Sequence, residues 1–198
     1  TGVQTCALPI WQGVSRAYRA RHASSDMENG LKLVAQLMEI SARTAPKAVG
    51  KDFVVTRVVS GDDLKKLAEE MERYGKETGK KNYDRDARGV AAAGALLLVG
   101  LKDAAPCGLN CGACGHSTCG DLAALAEGPE FAGPICAWRL VDLGIALGSA
   151  AKTASIHNVD NRIMYRIGVV ARKMGLIDAD VVLGAPLSAS GKNPYFDR

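Results

Sequence analysis

The sequence predicts a mixed α/β (α+β) fold, a sandwich in which helices pack against a small central sheet. Short apolar or β-branched runs alternate along the chain with stretches of helical period. Hydrophobic residues make up 47% of the 198 residues, which is enough to build the core of one domain. The chain has no internal repeat and no heptad pattern, so neither a solenoid nor a coiled coil is expected.

The first half of the domain is predicted to contain two helices around one strand. Apolar residues at helical spacing favour a first helix, which Pro46 and Gly50 end. The run FVVTRVV predicts a buried strand, and Asp62 and Asp63 then favour the start of a second helix. The predicted elements are a helix (28–45), a strand (53–59), a helix (62–74) and a polar loop (79–89).

The second half begins with the apolar run ALLLVGL, which predicts a central strand followed directly by a cysteine-rich loop. A further helix starts after Cys136, and Asn158 or Asp160 is expected to cap the last one, which ends near Met174. The predicted elements are a strand (95–101), a short helix (121–127), a helix from 137, a helix to about 174, a strand (179–183) and an extended tail (184–198).

The first 26 residues are interpreted as a non-native or disordered prefix, and residues 27–198 as the single domain. Residues 1–10, TGVQTCALPI, resemble the in-frame translation of a sequencing-library adapter, and no signal-peptide pattern follows. Without the prefix the formal net charge falls from +4 to +2, with 22 basic and 20 acidic residues. This balance, without a basic run, gives no indication of nucleic-acid binding.

The longest apolar run, residues 90–101, lies between Arg88 and Lys102 and is too short to span a bilayer. We therefore expect no membrane association. Clustered free thiols and an absent export signal favour a reducing, cytoplasmic environment.

Five of the six cysteines lie within thirty residues, and three of them form the pattern C-x2-C-x4-C. Iron–sulfur clusters bind four thiolates, and interleaved glycines allow backbone amides to approach the sulfur atoms. The five are Cys107, Cys111, Cys114, Cys119 and Cys136.

Other sites also use thiolates. Zinc accepts four thiolates, and His116 inside the loop could serve as a zinc ligand, but zinc sites usually pair two C-x2-C turns and only one is present. A purely structural metal would hold the loop together and stabilise the fold, but it would take part in no reaction. A disulfide framework is disfavoured in a chain of this size without an export signal.

Residues 107–138 resemble the [4Fe-4S] module of the Rnf complex B subunit and of corrinoid iron–sulfur proteins, which share the spacing C-x2-C-x4-C-x16-C. This resemblance implies that the ligands are Cys111, Cys114, Cys119 and Cys136. Cys107 is an additional thiol that either replaces Cys136 as the fourth ligand or lies near the cluster without binding it. Residues 27–198 are also similar to a family of uncharacterised bacterial and archaeal proteins that contain a ferredoxin domain.

The layout of residues 31–198 resembles that of nitroreductase-like flavoproteins. The similar segments are the turn at 44–50, the helix sequence DLGIA at 142–146 and the closing strand and tail VVLGAPLSASGKNPYF at 181–196. This resemblance implies a nitroreductase-like sandwich into which the iron–sulfur loop is inserted, and FMN bound at a homodimer interface. The family's N-terminal Arg-Arg-Ser phosphate grip is absent, and the candidate phosphate contacts are Arg43, Lys47, Lys51 and Lys192.

Together these features predict a [4Fe-4S] redox protein that transfers electrons to a partner protein or a small-molecule acceptor. A bound flavin would make it an oxidoreductase to which the cluster relays electrons. The alternative is a structural or sensor domain, stapled by a cluster or by zinc, without catalytic activity.

Overall fold

The computed structural model describes residues 16–196, with side chains described from Asp26 onward. Its five helices are α1 (Arg16–Thr44), α2 (Asp62–Thr78), α3 (Tyr83–Ala91), α4 (Ala137–Ile156) and α5 (Tyr165–Lys173). Its strands are β1 (Val54–Val59), β2 (Ala95–Leu101), β3 (Ala126–Glu127), β4 (Ala132–Gly133), β5 (Asp160–Asn161) and β6 (Val181–Ser188).

The central sheet has four strands in the order β1-β2-β6-β5, and each neighbouring pair is antiparallel. Strand β2 lies between β1 and β6, so that Leu101 pairs with Val54 on one side and with Val181 on the other. Every residue of β2 is buried, as expected for an apolar run in the middle of a covered sheet.

Helices cover both faces of this sheet. Leu97 and Val99 point into a core formed with α1 and α4, whereas Leu96 and Leu98 point into a second core formed with α2, α3 and α5. The alternation follows from the two-residue period of a strand. The predicted α/β sandwich is therefore confirmed, with helices on both sides of a small sheet.

Four predicted elements differ from the structure. Neither Asn158 nor Asp160 caps the last helix, because Asp160 lies in β5 and α5 begins at Tyr165 with Met164 at its N-cap. Part of the predicted loop at 79–89 is helix α3, because Tyr83, Ala87 and Val90 recur at helical spacing and are buried. The short helix predicted at 121–127 is wrong: β3 forms a two-stranded hairpin with β4, and a single 3-10 turn, Cys119–Asp121, precedes it. The last strand continues from Val181 to Ser188, five residues past its predicted end, because residues 181–187 pair with β2 and Ser188 pairs with Asp160 of β5.

Helix α1 begins at Arg16, so residues 16–26 of the predicted prefix are helical. The remainder of the prefix, residues 1–15, lies outside the described residues. Between residues 16 and 196, no helix combines the length and the apolar character that crossing a bilayer requires.

Candidate functional site

The candidate site is the long loop between β2 and α4, which contains five cysteines. All five line one cavity that is partly open to solvent, together with His116 and Trp138. The structure therefore brings together the four predicted ligands and the additional thiol, Cys107. Which four of them bind a metal group stays a prediction.

The backbone of the loop is folded so that amides face sulfur atoms. Gly112 and Gly115 have φ values of 73° and 87°, a region that residues with a side chain rarely adopt. The amide of Asn110 donates to the sulfur of Cys119 across 3.4 Å, and the amide of Cys119 donates to the side-chain oxygen of Asn110 across 2.8 Å. Asn110 and Cys119 are thus locked to each other across the turn that carries Cys111 and Cys114.

Cys136 lies at the N-cap of α4 and is buried, with an exposed fraction of 5%. Burial raises the pKa of its thiol, but hydrogen bonds from the backbone amides of Cys107, Trp138 and Arg139 outweigh burial and lower that pKa. The first turn of a helix is suited to this role because its amides have no partner within the helix. The thiolate form of Cys136, which binds metals, is thereby favoured.

Cys111 receives a similar set of donors at the open side of the cavity. Hydrogen bonds from the amide of Ala113 and from the indole of Trp138, the latter at 3.1 Å, lower the pKa of the Cys111 thiol. In contrast, burial raises the pKa of Cys107, and the nearby positive charge of Arg139 offsets only part of that rise. Burial therefore favours the protonated form of the Cys107 thiol.

The thiols are arranged around a volume and do not converge on a point. Among the side chains that the structure describes, from Asp26 onward, no three of His, Cys, Asp or Glu are grouped closely enough to hold one metal ion. A tetrahedral zinc site needs its four sulfur atoms about 2.3 Å from the same ion. A cubane cluster instead binds each thiolate at a different iron atom, so its ligands surround a common cavity.

Arg139 and Asp142, on the first turns of α4, lie beside this cavity and are both buried. The guanidinium donates to the carbonyl of Ala105, just before the cysteines, and pairs with Asp142 at 3.0 Å. Sequence reasoning missed this pair. The available signal was a cation and an anion three residues apart in an otherwise apolar helix, but that pattern alone does not reveal burial.

Two of the candidate phosphate contacts are already engaged. Arg43 pairs with Asp52 at 3.0 Å and donates to the carbonyl of Val54. The side chain of Lys47 is only 7% exposed, and its ammonium donates to the carbonyls of Ala42, at 3.2 Å, and Arg43. These two cations therefore connect α1 to the residues just before β1 and at its start, and their charged groups are not free to bind a phosphate.

The other two candidates lie at opposite ends of the sheet. Lys51 is exposed just before β1, at the end where Val54 pairs with Leu101. Lys192 is exposed beyond the end of β6, whose last residues pair near Ala95 at the start of β2. The four cations are not brought together around one point.

Comparison with known proteins adds sequence relatives. Residues 132–198 match the family described as "Uncharacterized protein containing a ferredoxin domain (DUF2148)". A protein of Archaeoglobus fulgidus, described as "Uncharacterized protein", is 50% identical over 175 residues, which are 87% of this chain and 95% of that protein.

Solved structures of similar fold are flavoproteins by their descriptions. An oxidoreductase containing FMN has 16% identity and a TM-score of 0.50, covering 81% of this chain and 68% of its own. A nitroreductase with bound FMN from Desulfitobacterium hafniense has 13% identity and a TM-score of 0.50, covering 80% and 78%. At this level of identity the likeness shows the fold alone, and it confirms the predicted nitroreductase-like fold.

Proposed function

Because the chain belongs to the family of proteins that contain a ferredoxin domain, we propose that it binds one [4Fe-4S] cluster and transfers single electrons. The ligands in this proposal are Cys111, Cys114, Cys119 and Cys136. The observation that carries it is a cavity lined by all of these thiols, in which three of them accept hydrogen bonds from amides or an indole. Such donors stabilise the negative charge of thiolates and of a reduced cluster.

The arrangement suits exchange of electrons with an external partner. When bound, the cluster would supply the one-electron chemistry, and the protein would set its environment. Cys111 is exposed and Cys136 is buried, so the cavity has an open side and a protein side. An acceptor, either a protein or a small molecule, would approach at the side of Cys111 and Trp138. Free thiols and such a cluster fit a reducing, cytoplasmic setting.

A flavin is not assigned a step in this proposal. Solved structures of the same fold are described as containing FMN. However, Arg43 and Lys47 are engaged with Asp52 and with backbone carbonyls, so these residues do not fit a phosphate grip. Flavin content therefore has to be measured.

A homodimer is part of the proposal. Helix α4 is apolar on its exposed side as well as its buried side, and such a helix is usually covered on all sides. Between residues 140 and 148 its exposed residues form a continuous stripe: Leu140, Val141, Gly144, Ile145 and Gly148. A second copy of the chain would cover this stripe with the same stripe of its own, as a two-fold interface requires.

The dimer is tested by a matched pair of substitutions, measured by sedimentation velocity. Ile145→Asp introduces a charge into the stripe and is expected to give monomers. Ile163→Asp introduces the same change at a residue with the same exposed fraction, 39%, outside α4, and is expected to leave the dimer intact. A wild-type monomer, or equal behaviour of both variants, would contradict the proposal.

The cluster is tested by anaerobic expression of the chain and assay of iron, sulfide, zinc and flavin on one sample. We expect about four irons and four sulfides per chain, with a reversible one-electron transition. Zinc without iron would instead indicate a structural site. Flavin in addition to iron would make the protein a candidate flavin-dependent oxidoreductase and would justify a search for its substrate.

A further inference from the structure

Arg139 has no surface exposed to solvent, although arginine is among the residues least often buried. Its guanidinium donates through Nε to the carbonyl of Ala105 at 2.8 Å and through Nη1 to the carbonyls of Ala48 and Lys51 at 3.0 and 3.2 Å. It also stacks on the ring of Phe53, at 4.7 Å from the ring centroid. A permanent positive charge is thus held rigidly one helical turn from Cys136.

One part of this guanidinium has no partner. Nη2 is buried and donates no hydrogen bond to any residue that the structure describes. A buried charged donor without an acceptor is costly, and arginine cannot escape the cost by losing its proton. The guanidinium therefore keeps one donor, Nη2, that no described residue satisfies, although its Nη1 is paired with Asp142.

The two charged groups of the ion pair between Arg139 and Asp142 have different neighbours. Asp142 lies one turn farther along α4, and its Oδ1 accepts from the amide of Ala48 at 2.7 Å while its Oδ2 lies 3.0 Å from Nη1. Apart from Arg139, the carboxylate thus contacts the turn at 48–50, whereas the guanidinium contacts both that turn and Ala105 at the start of the cysteine loop. Through Nε the guanidinium contacts the carbonyl of Ala105, two residues before Cys107, so the positive charge lies at the start of the cysteine loop.

We infer that the positive charge of Arg139 raises the reduction potential of the cluster. This inference rests on the proposed function. Reduction adds one electron, taken from a one-electron donor, to a cluster already surrounded by four thiolates, and no bond to a proton is formed or broken. A fixed cation in a low-dielectric environment stabilises the added negative charge, whereas the carboxylate of Asp142, one turn farther along α4 from Cys136, opposes it.

The test is an anaerobic redox titration of the full chain, with dithionite as reductant and the reduced cluster followed by electron paramagnetic resonance. Arg139→Gln removes the charge and is expected to lower the reduced-to-oxidised ratio at a fixed potential at least tenfold, which is about 59 mV for one electron. Arg139→Lys keeps the charge and is expected to lie closer to wild type. Asp142→Asn removes the opposing charge and is expected to shift the potential upward.

The opposite signs separate an electrostatic role from structural damage. Unchanged potentials, or shifts of Arg139→Gln and Asp142→Asn in the same direction, overturn the inference. If Arg139→Gln does not retain iron, Asp142→Asn decides: a higher potential supports the inference, and an unchanged or lower one overturns it. Wild-type protein without iron and sulfide overturns the proposed function itself. A cluster whose reduction potential does not change in Arg139→Gln overturns only this inference.

Discussion

The indole N–H of Trp138 donates a hydrogen bond to the sulfur of Cys111, with Nε1 and Sγ 3.1 Å apart. Trp138 lies in the first turn of α4, and Cys111 lies in the loop 27 residues earlier. The bond ties the open side of the cysteine cavity to the helix that carries Cys136. Because the indole is 40% exposed, this donor lies at the edge of the cavity where an electron acceptor would approach.

Trp138→Phe is expected to retain the cluster and to lower its reduction potential. The substitution keeps an aromatic ring but removes the donor to the Cys111 thiolate, and hydrogen bonds to sulfur raise the potential of iron–sulfur clusters. The measurement is a redox titration beside an assay of iron content. Leu140→Ala, at an exposed neighbour in the same turn, is the control and should leave the potential unchanged. A wild-type potential in Trp138→Phe would mean that the bond has no role in tuning.

The ligand assignment predicts different results for two neighbouring thiols. Cys136→Ala should lose most of the iron, because the sulfur that accepts the amides of the first turn of α4 is removed. Cys107→Ala should keep its iron, because the resemblance in the spacing C-x2-C-x4-C-x16-C assigns the four ligands to the other cysteines. The measurement is iron, sulfide and visible absorption of the purified variants, with Cys114→Ala as a ligand-loss reference. Loss of iron in Cys107→Ala alone would reverse the assignment.

The fold could be predicted where the signal is local. The run ALLLVGL was assigned to β2 because a run of apolar residues suits a strand that is covered on both faces. The cysteine loop was recognised because its thiols are close in sequence. Sequence reasoning does not predict helix α3, because charged residues such as Arg85 and Arg88 lie between the buried residues Tyr83, Ala87 and Val90 and make the segment look like a polar loop.

The features that sequence reasoning missed depend on contacts with residues outside the segment itself. Residues 126 and 127 form a hairpin instead of the predicted helix because Ala126 pairs with Gly133, and the helical propensity of a segment does not take such pairing into account. In the sequence Arg139 does not differ from a solvent-exposed arginine of a helix. Only the folded chain shows that it donates hydrogen bonds to the carbonyls of Ala48 and Ala105. Burial of a charge is a property of the folded chain, so propensity and spacing could not reveal it.

Glu130 joins the two-stranded hairpin to the helical layer. Its Oε1 accepts hydrogen bonds from Lys80 at 2.5 Å, from the hydroxyl of Tyr83 at 3.0 Å and from that of Tyr74 at 3.4 Å. Burial raises the pKa of Glu130, but the bonds from Lys80 and Tyr83 outweigh burial and lower it. The carboxylate therefore contributes stability above the unfolded pKa of about 4.3, and this contribution is lost as the pH falls through the lower, folded value.

Glu130→Gln is expected to reduce the stability of the protein near neutral pH and to weaken its acid sensitivity below about pH 4.3. The measurement is the free energy of unfolding in urea as a function of pH. Glu69→Gln, on the exposed face of α2, is the control and should leave the acid dependence close to that of wild type. The same acid dependence in wild type and Glu130→Gln would contradict this account of the network.

Gly168 allows α5 to lie directly on β6. A Cβ atom at this position would be 1.7 Å from the carbonyl oxygen of Val182, so alanine cannot be accommodated unless the helix moves away from the sheet. Gly168→Ala is therefore expected to lower the free energy of unfolding in urea by about 3 kcal/mol or more. Gly30→Ala in α1, where a Cβ would meet nothing within 4 Å, is the matched control and should raise it by about 0.5–1 kcal/mol through helix propensity. Equal effects of the two substitutions would contradict the close approach of α5 to β6, because helix propensity alone predicts the same gain at both positions.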